Sequence, residues 1–273
     1  MIEEWLNYQE QEDKYVFKLI HVTEEINPDN DLIKHLQEQI ITSYRNIDYY
    51  KFHLEDASED EIREYVKNQV IPGDNNQFDR NVRQGDWGEI LSALIVSYFQ
   101  NLEVPINKLQ WKLNKDKAVF GTDLIAYNKG EEIKDIYYYE IKTKLDPKIK
   151  VGKIPNRFYI TVIAHNILLK DELAPTESIA EFLERLFFEK SEFDKAKKFK
   201  DIVKNPQNYN RNFELFFIIE NSNFTENILE ELNNLPPQLD PLKVTIIFID
   251  KLKQLVENTW RDIEESLVNI LSD

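Results

Sequence analysis

Cysteine is absent from the chain, which excludes disulfides, thiolate-bound zinc and a cysteine nucleophile. Histidine is scarce: His21, His35, His53 and His165 are the only four, and no two form an H-x-x-x-H pair, so an imidazole-built metal centre is disfavoured. There are six glycines, and none belongs to a G-x-x-x-x-G-K-[ST] or G-x-G-x-x-G loop, which argues against a nucleotide-driven motor or a dinucleotide enzyme. No apolar run approaches the roughly 20 residues that span a bilayer, so no membrane partner is expected. The opening "MIEEWLNYQEQEDK" is acidic and polar, unlike a signal or transit peptide, and points to a cytoplasmic address. Positive charge is in short supply as well: 34 basic against 50 acidic side chains leave a net charge of −16. Such a chain does not coat nucleic acid by bulk charge.

The 273 residues are 42% hydrophobic and 12% aromatic, enough for a sizeable core. Charge is distributed unevenly. Residues 1–62 carry 16 acidic and 5 basic side chains, whereas 141–157, "IKTKLDPKIKVGKIPNR", carry 6 basic and 1 acidic. A second basic cluster, "KAKKFKDIVK", spans 195–204 and reads equally well as a solvated face. The N-terminal stretch reads as a strand ("KYVFKLIHV") and two helices ("DLIKHLQEQIITSY" and "SEDEIREYVKNQV"). Ser58 and Glu61 of the second helix have capping-box spacing. The turn-rich "IPGDNNQFDRN" marks a boundary. We therefore expect an acidic N-terminal α+β lobe over 1–75, part of which packs on the rest, and a main domain over 76–273.

In the main domain, Asp86 is placed to cap a helix whose apolar stripe is Ile90, Leu91, Leu94, Ile95 and Tyr98. "KLQWKLN" (108–114), "GTDLIAYN" (121–128) and "DIYYYEIKTKL" (135–145) read as strands. Helices are expected around 156–171 and within 176–204, then the strand "FELFFIIE", the helix "FTENILEELNNL", the strand "KVTIIFID" and one long closing helix. The fold class is α/β, a mixed central sheet flanked by helices.

Within "YYYEIKTK", Glu140 and Lys142 are two apart and share one face of a strand, while Tyr137, Tyr139, Ile141 and Thr143 share the other. Burying two ionisable groups is unfavourable unless they pair, bind metal or do chemistry. Asp123 enters the preceding strand, and Glu89 lies near the start of the preceding helix. Hydrolysing a phosphodiester requires an activated water and neutralisation of charge growing on the phosphate. A hard divalent cation does both and prefers oxygen ligands. Asp123, Glu140 and the carbonyl of Ile141 are candidate ligands for Mg²⁺, or Mn²⁺ in its stead. Lys142 would orient the water and stabilise the transition state, and Glu89 would act through a bound water or Lys142. Lys144, Lys148, Lys150, Lys153 and Arg157 are candidate phosphate contacts. Arg83 and Trp87 are candidates too, although Trp87 suits the core equally well. Read singly, an E-x-K is more often an exposed ladder pair, Asp123 a turn residue, and Glu89 a favourable charge in a helix's first turn.

Helix-Glu, strand-Asp and strand Glu-x-Lys, in that order, resemble the PD-(D/E)xK nuclease superfamily over about residues 83–145, with Thr122 where the motif has proline. "RQGDWGEIL", "GTD" and "YEIKTK" are similar, more narrowly, to the HamA family, the nuclease subunits of Hachiman anti-phage systems. That resemblance implies a restriction-endonuclease-like core, Mg²⁺-dependent cutting of DNA, a bacterial defence role and a HamB-like helicase partner. Two alternatives stay open: a stand-alone restriction endonuclease, and a non-enzymatic interaction protein with a degenerate nuclease core.

Overall fold

A computed structural model of the chain describes residues 1–105, 108–112, 114–117, 122–130, 132–145, 160–172, 176–235 and 238–272. Its centre is a mixed seven-stranded sheet. The strands are β1 (Leu6–Glu10), β2 (Lys18–Glu24), β3 (Leu102–Glu103), β4 (Leu124–Asn128), β5 (Asp135–Lys144), β6 (Asn210–Ile219) and β7 (Leu242–Phe248). Their order is β1-β2-β7-β6-β5-β4-β3. The inner strands β2, β7, β6 and β5 run parallel to their neighbours in that series, and antiparallel pairs close both edges.

The near-continuous apolar runs of β6 and β7 are what a strand covered on both faces needs. Along β6, Phe216 and Ile218 enter one core while Leu215, Phe217 and Ile219 enter the other. The first core is covered by α2 (Asn30–Tyr44), α5 (Gln77–Phe99), α10 (Leu252–Trp260) and α11 (Glu264–Ser272). The second is covered by α6 (Ile160–Glu172), α7 (Thr176–Glu189), α8 (Phe193–Lys204) and α9 (Asn227–Asn233). Short helices α1 (Ile2–Trp5), α3 (Ile47–His53) and α4 (Glu59–Tyr65) complete the acidic N-terminal stretch. Its strands β1 and β2 belong to the same sheet as β5, and Trp5, Leu36 and Tyr44 share a core with Trp87.

Several local expectations are corrected. Helix α5 starts at Gln77, not near Asp86, because the side chain of Asn76 accepts the Asp79 N–H and caps the earlier turn. Asp86 and Glu89 therefore lie well inside the helix. Tyr98, assigned to the apolar stripe, is 46% exposed. "KLQWKLN" is not a strand: Lys108–Trp111 form a 3-10 turn, and the edge position beside β4 is taken by β3. The closing helix is two helices, because Arg261 is extended and Asp262 adopts a left-handed φ of 51°. The strand β1 was missed; it is a short edge strand with only one buried residue, Leu6. The Ser58–Glu61 capping box is present as expected.

Where α5 crosses β5, only glycine fits. A Cβ on Gly88 would lie 1.8 Å from Thr143 Oγ1. One turn earlier the side-chain amide of Gln84 donates to the Thr143 carbonyl. Helix and strand thus meet backbone to backbone beside the residues singled out above.

Candidate active site

Strand parity sends Glu140 and Lys142 to the face of Ile136 and Tyr138, away from α5, while Tyr139 and Ile141 face α5 as expected. Glu140 is 2% exposed, and the Lys142 ammonium is hydrogen-bonded to its Oε1. Asp123 stands just outside β4, pinned to β5 by its backbone N–H, which donates to the Tyr139 carbonyl (3.2 Å). Its Oδ2 accepts the N–H of Ile141 (2.9 Å). In an antiparallel pair the N–H and carbonyl of one residue leave the strand on the same edge. The Ile141 carbonyl accordingly lies on Asp123's side of β5.

The other oxygen of Asp123 accepts from Lys108 Nζ at 3.1 Å. Burial works against the Lys108 charge, but the carboxylates of Glu89, Asp123 and Glu140 outweigh it and hold its pKa above the ordinary value. The Lys108 ammonium is thus bonded to Asp123 and lies within electrostatic reach of Glu89 and Glu140. Burial also pushes the carboxyl of Glu89 up to about 8, with Lys108 opposing the shift and Asp123 and Asp86 adding to it.

A second buried constellation lies one turn before Glu89. Asp86 Oδ2 accepts from Lys112 Nζ at 2.5 Å and from the hydroxyl of Tyr44, which comes from α2. The side chains of Lys112 and Asp86 are 1% and 5% exposed. Burial raises the Asp86 pKa, and the Lys112 charge opposes this.

The sequence reading missed Lys108, Lys112, Asp86 as an ion-pair partner, and Tyr44. One signal was available: Lys108 and Lys112 are four apart, the spacing of a helical turn. Lys144 ends β5 and is exposed. Lys148, Lys150, Lys153 and Arg157 lie outside the described residues. The basic cluster on α8 is largely occupied: Lys195 pairs with Glu103 and Glu192, Lys197 with Asp194, and Lys198 donates to the Gly130 carbonyl. Trp87 is core, at 1% exposure, and Arg83 lies over the ring of Trp260 at 5.3 Å.

A profile of the HamA family matches residues 1–262. The chain belongs to the HamA family. HamA is a component of Hachiman defence systems. No curated protein matches the chain. In this HamA-family chain the matched span covers β1, β2 and Tyr44 as well as the Glu89–Lys142 region.

A divalent cation needs several oxygen donors close together. Among the described residues, no three acidic or imidazole groups are gathered closely enough to hold an ion unaided. Mg²⁺, however, commonly takes one or two carboxylates and completes its shell with water. Asp123, Glu140 and the Ile141 carbonyl meet that need with hard oxygens, and the Lys108 ammonium already marks the spot as one that favours positive charge. By donor type alone the set suits Mg²⁺ or Mn²⁺.

The Glu89 shift has a measurable sign. Between its ordinary value of 4.5 and about 8, the folded chain keeps a proton that the unfolded chain has lost. Stability in EDTA should therefore fall as pH rises through that interval, and Glu89→Gln should flatten the fall. Thermal melts of both proteins at several pH values across the interval check this; parallel pH profiles would contradict it.

Proposed function

We propose that the chain is a metal-dependent nuclease that hydrolyses phosphodiester bonds of DNA, acting in Hachiman defence beside a helicase subunit. The observation that carries this reading is Asp123, bonded to Lys108 and to the Ile141 N–H, beside the buried Glu140 that holds Lys142. This is the arrangement that phosphodiester hydrolysis requires.

Asp123 and Glu140, with the carbonyl of Ile141, would hold the cation. When bound, the cation supplies a water of lowered pKa and neutralises charge on the phosphate. The pairing of Asp123 with the Ile141 N–H fixes the carboxylate against β5, so little reorganisation is needed. Lys142, tethered to Glu140, orients the attacking water and donates to the phosphoryl oxygen as its charge grows. Glu89, protonated at neutral pH while the cation is absent, holds a water in place as a hydrogen-bond donor or acceptor. Lys108 balances the charge of Asp123. The acidic surface fits a subunit whose DNA affinity is supplemented by its partner.

The test is incubation of plasmid with the full chain and Mg²⁺, with and without the helicase, against Glu140→Ala. Mg²⁺-dependent cutting by wild type alone supports the reading. Equal cutting by both proteins, or none under any condition, overturns it.

A further inference from the structure

A groove of about 1140 Å³ lies beside the candidate active site rather than in it. Its walls are the turn that follows α4, the loop before α5, the first turns of α5, and the corner between α10 and α11. Six cations line it: Lys67, Arg80, Arg83, Lys115, Lys253 and Arg261. Four acids, Asp74, Glu257, Asp262 and Glu264, face them. In a chain whose acids outnumber its bases 50 to 34, this is a local reversal of charge. Arg83 and Lys67 are tied to Asp74 and Glu264. Lys253 and Arg261 are exposed, and neither has an ion-pair partner among the described residues.

Two further observations point to a ligand. Trp260 lines the groove at 6% exposure, yet its indole N–H has no hydrogen-bond partner among the described residues. A buried N–H without a partner is unfavourable and calls for an acceptor. Leu145, the residue after Lys144, also lines the groove, and its wall residue Gln84 is hydrogen-bonded to the Thr143 carbonyl. A chain lying in the groove would therefore run out along the end of β5, past Lys144 towards Lys142.

We propose that this groove binds the sugar-phosphate backbone of a single nucleic-acid strand next to the scissile bond. Phosphate oxygens answer the unpaired cations and the Trp260 N–H. A positive groove that tracks the backbone is a usual means of holding a single strand, and the amides of Asn68, Asn75, Gln77 and Gln84 suit sugar and base edges without selecting sequence. The proposal rests on the nuclease reading for its purpose but not for its test.

The test is fluorescence anisotropy of a labelled oligothymidylate with the full chain in EDTA, where nothing is cut. The Lys253→Glu/Arg261→Glu double variant should bind at least about tenfold more weakly at low salt. Its salt dependence should fall by roughly 1.4 in log–log slope, the contribution of two phosphate contacts to single-stranded binding. A Lys197→Glu/Lys200→Glu control on α8 should bind like wild type. Trp260→Phe should bind more weakly, with an unchanged melt. Undiminished binding by the groove variant, tighter binding of a duplex of equal length, equal binding of polyglutamate, or no binding by wild type overturns the proposal. A groove that fails this test while wild type cuts plasmid leaves the nuclease reading intact. A groove that passes beside a chain that never cuts removes only the nuclease reading.

Discussion

Lys142→Ala should slow single-turnover cleavage by at least about 10²-fold, in line with the loss of a donor to developing negative charge. Binding of DNA should change far less, because Lys142 is one cation among several and its ammonium is bound to Glu140 rather than spread over solvent. Lys144, exposed one strand step further on, has no acid to position, so Lys144→Ala should chiefly weaken binding in a salt-dependent way. Asp123→Ala and Glu140→Ala should abolish cutting even at high Mg²⁺, each removing a ligand that waters do not replace in place or charge. Removing Lys142 also strips Glu140, 2% exposed, of an ion-pair partner, so melts must accompany the kinetics. A Lys142→Ala protein that cuts normally, or that loses activity only in proportion to unfolding, would make Lys142 a structural partner of Glu140.

Asp86→Ala should be the most damaging of the substitutions to stability. It leaves the Lys112 ammonium, at 1% side-chain exposure, without its carboxylate, and the Tyr44 hydroxyl without its acceptor. Breaking one side of a buried pair costs about 3–5 kcal/mol. That is a large share of the roughly 5–15 kcal/mol that holds an ordinary domain together. Replacing both partners by apolar groups, Asp86→Leu with Lys112→Met, should recover much of the loss, since the pair's own desolvation disappears with it. Urea unfolding of the three proteins measures this. A loss below about 1 kcal/mol for Asp86→Ala would show that the Lys112 charge is hydrated after all. Because Asp86 lies one turn from Glu89 on the same helix, the variant should also misplace Glu89 and depress cutting more than Lys144→Ala does.

The legible parts of the sequence were those with a strict local rule. Alternation placed Glu140 and Lys142 on one face of β5 and Tyr139 and Ile141 on the other. Apolar runs marked β6 and β7, and Ser58 with Glu61 marked the start of α4. What escaped depended on contacts distant in the chain. Lys108 and Lys112 sit in a turn because Asp123 and Asp86 await them, 15 and 26 residues away in sequence. Asp86 looked like a cap because short acids favour helix starts; its real partners come from α2 and from that turn. The break between α10 and α11 rests on Asp262 adopting positive φ, which aspartate tolerates without announcing it. The basic groove draws its cations from residues 67 to 261, and no window of sequence holds enough of them to be noticed.

The place of β2 in the sheet bears on how the protein is made. Its partner on the inner side is β7, with Lys18 beside Lys243 and Thr23 beside Phe248. Further ties join the same two ends: Glu24 accepts from the Asp250 N–H, Gln37 donates to the Arg261 carbonyl, and Arg63 binds Glu265. On the ribosome β2 emerges early and then waits, one edge unpaired, until β7 is synthesised. Pairings this remote in sequence form slowly, and an open strand edge is a hazard for aggregation meanwhile. A message that is cut short, or a ribosome that stalls, therefore releases a chain that lacks β7 and leaves β2 without its partner.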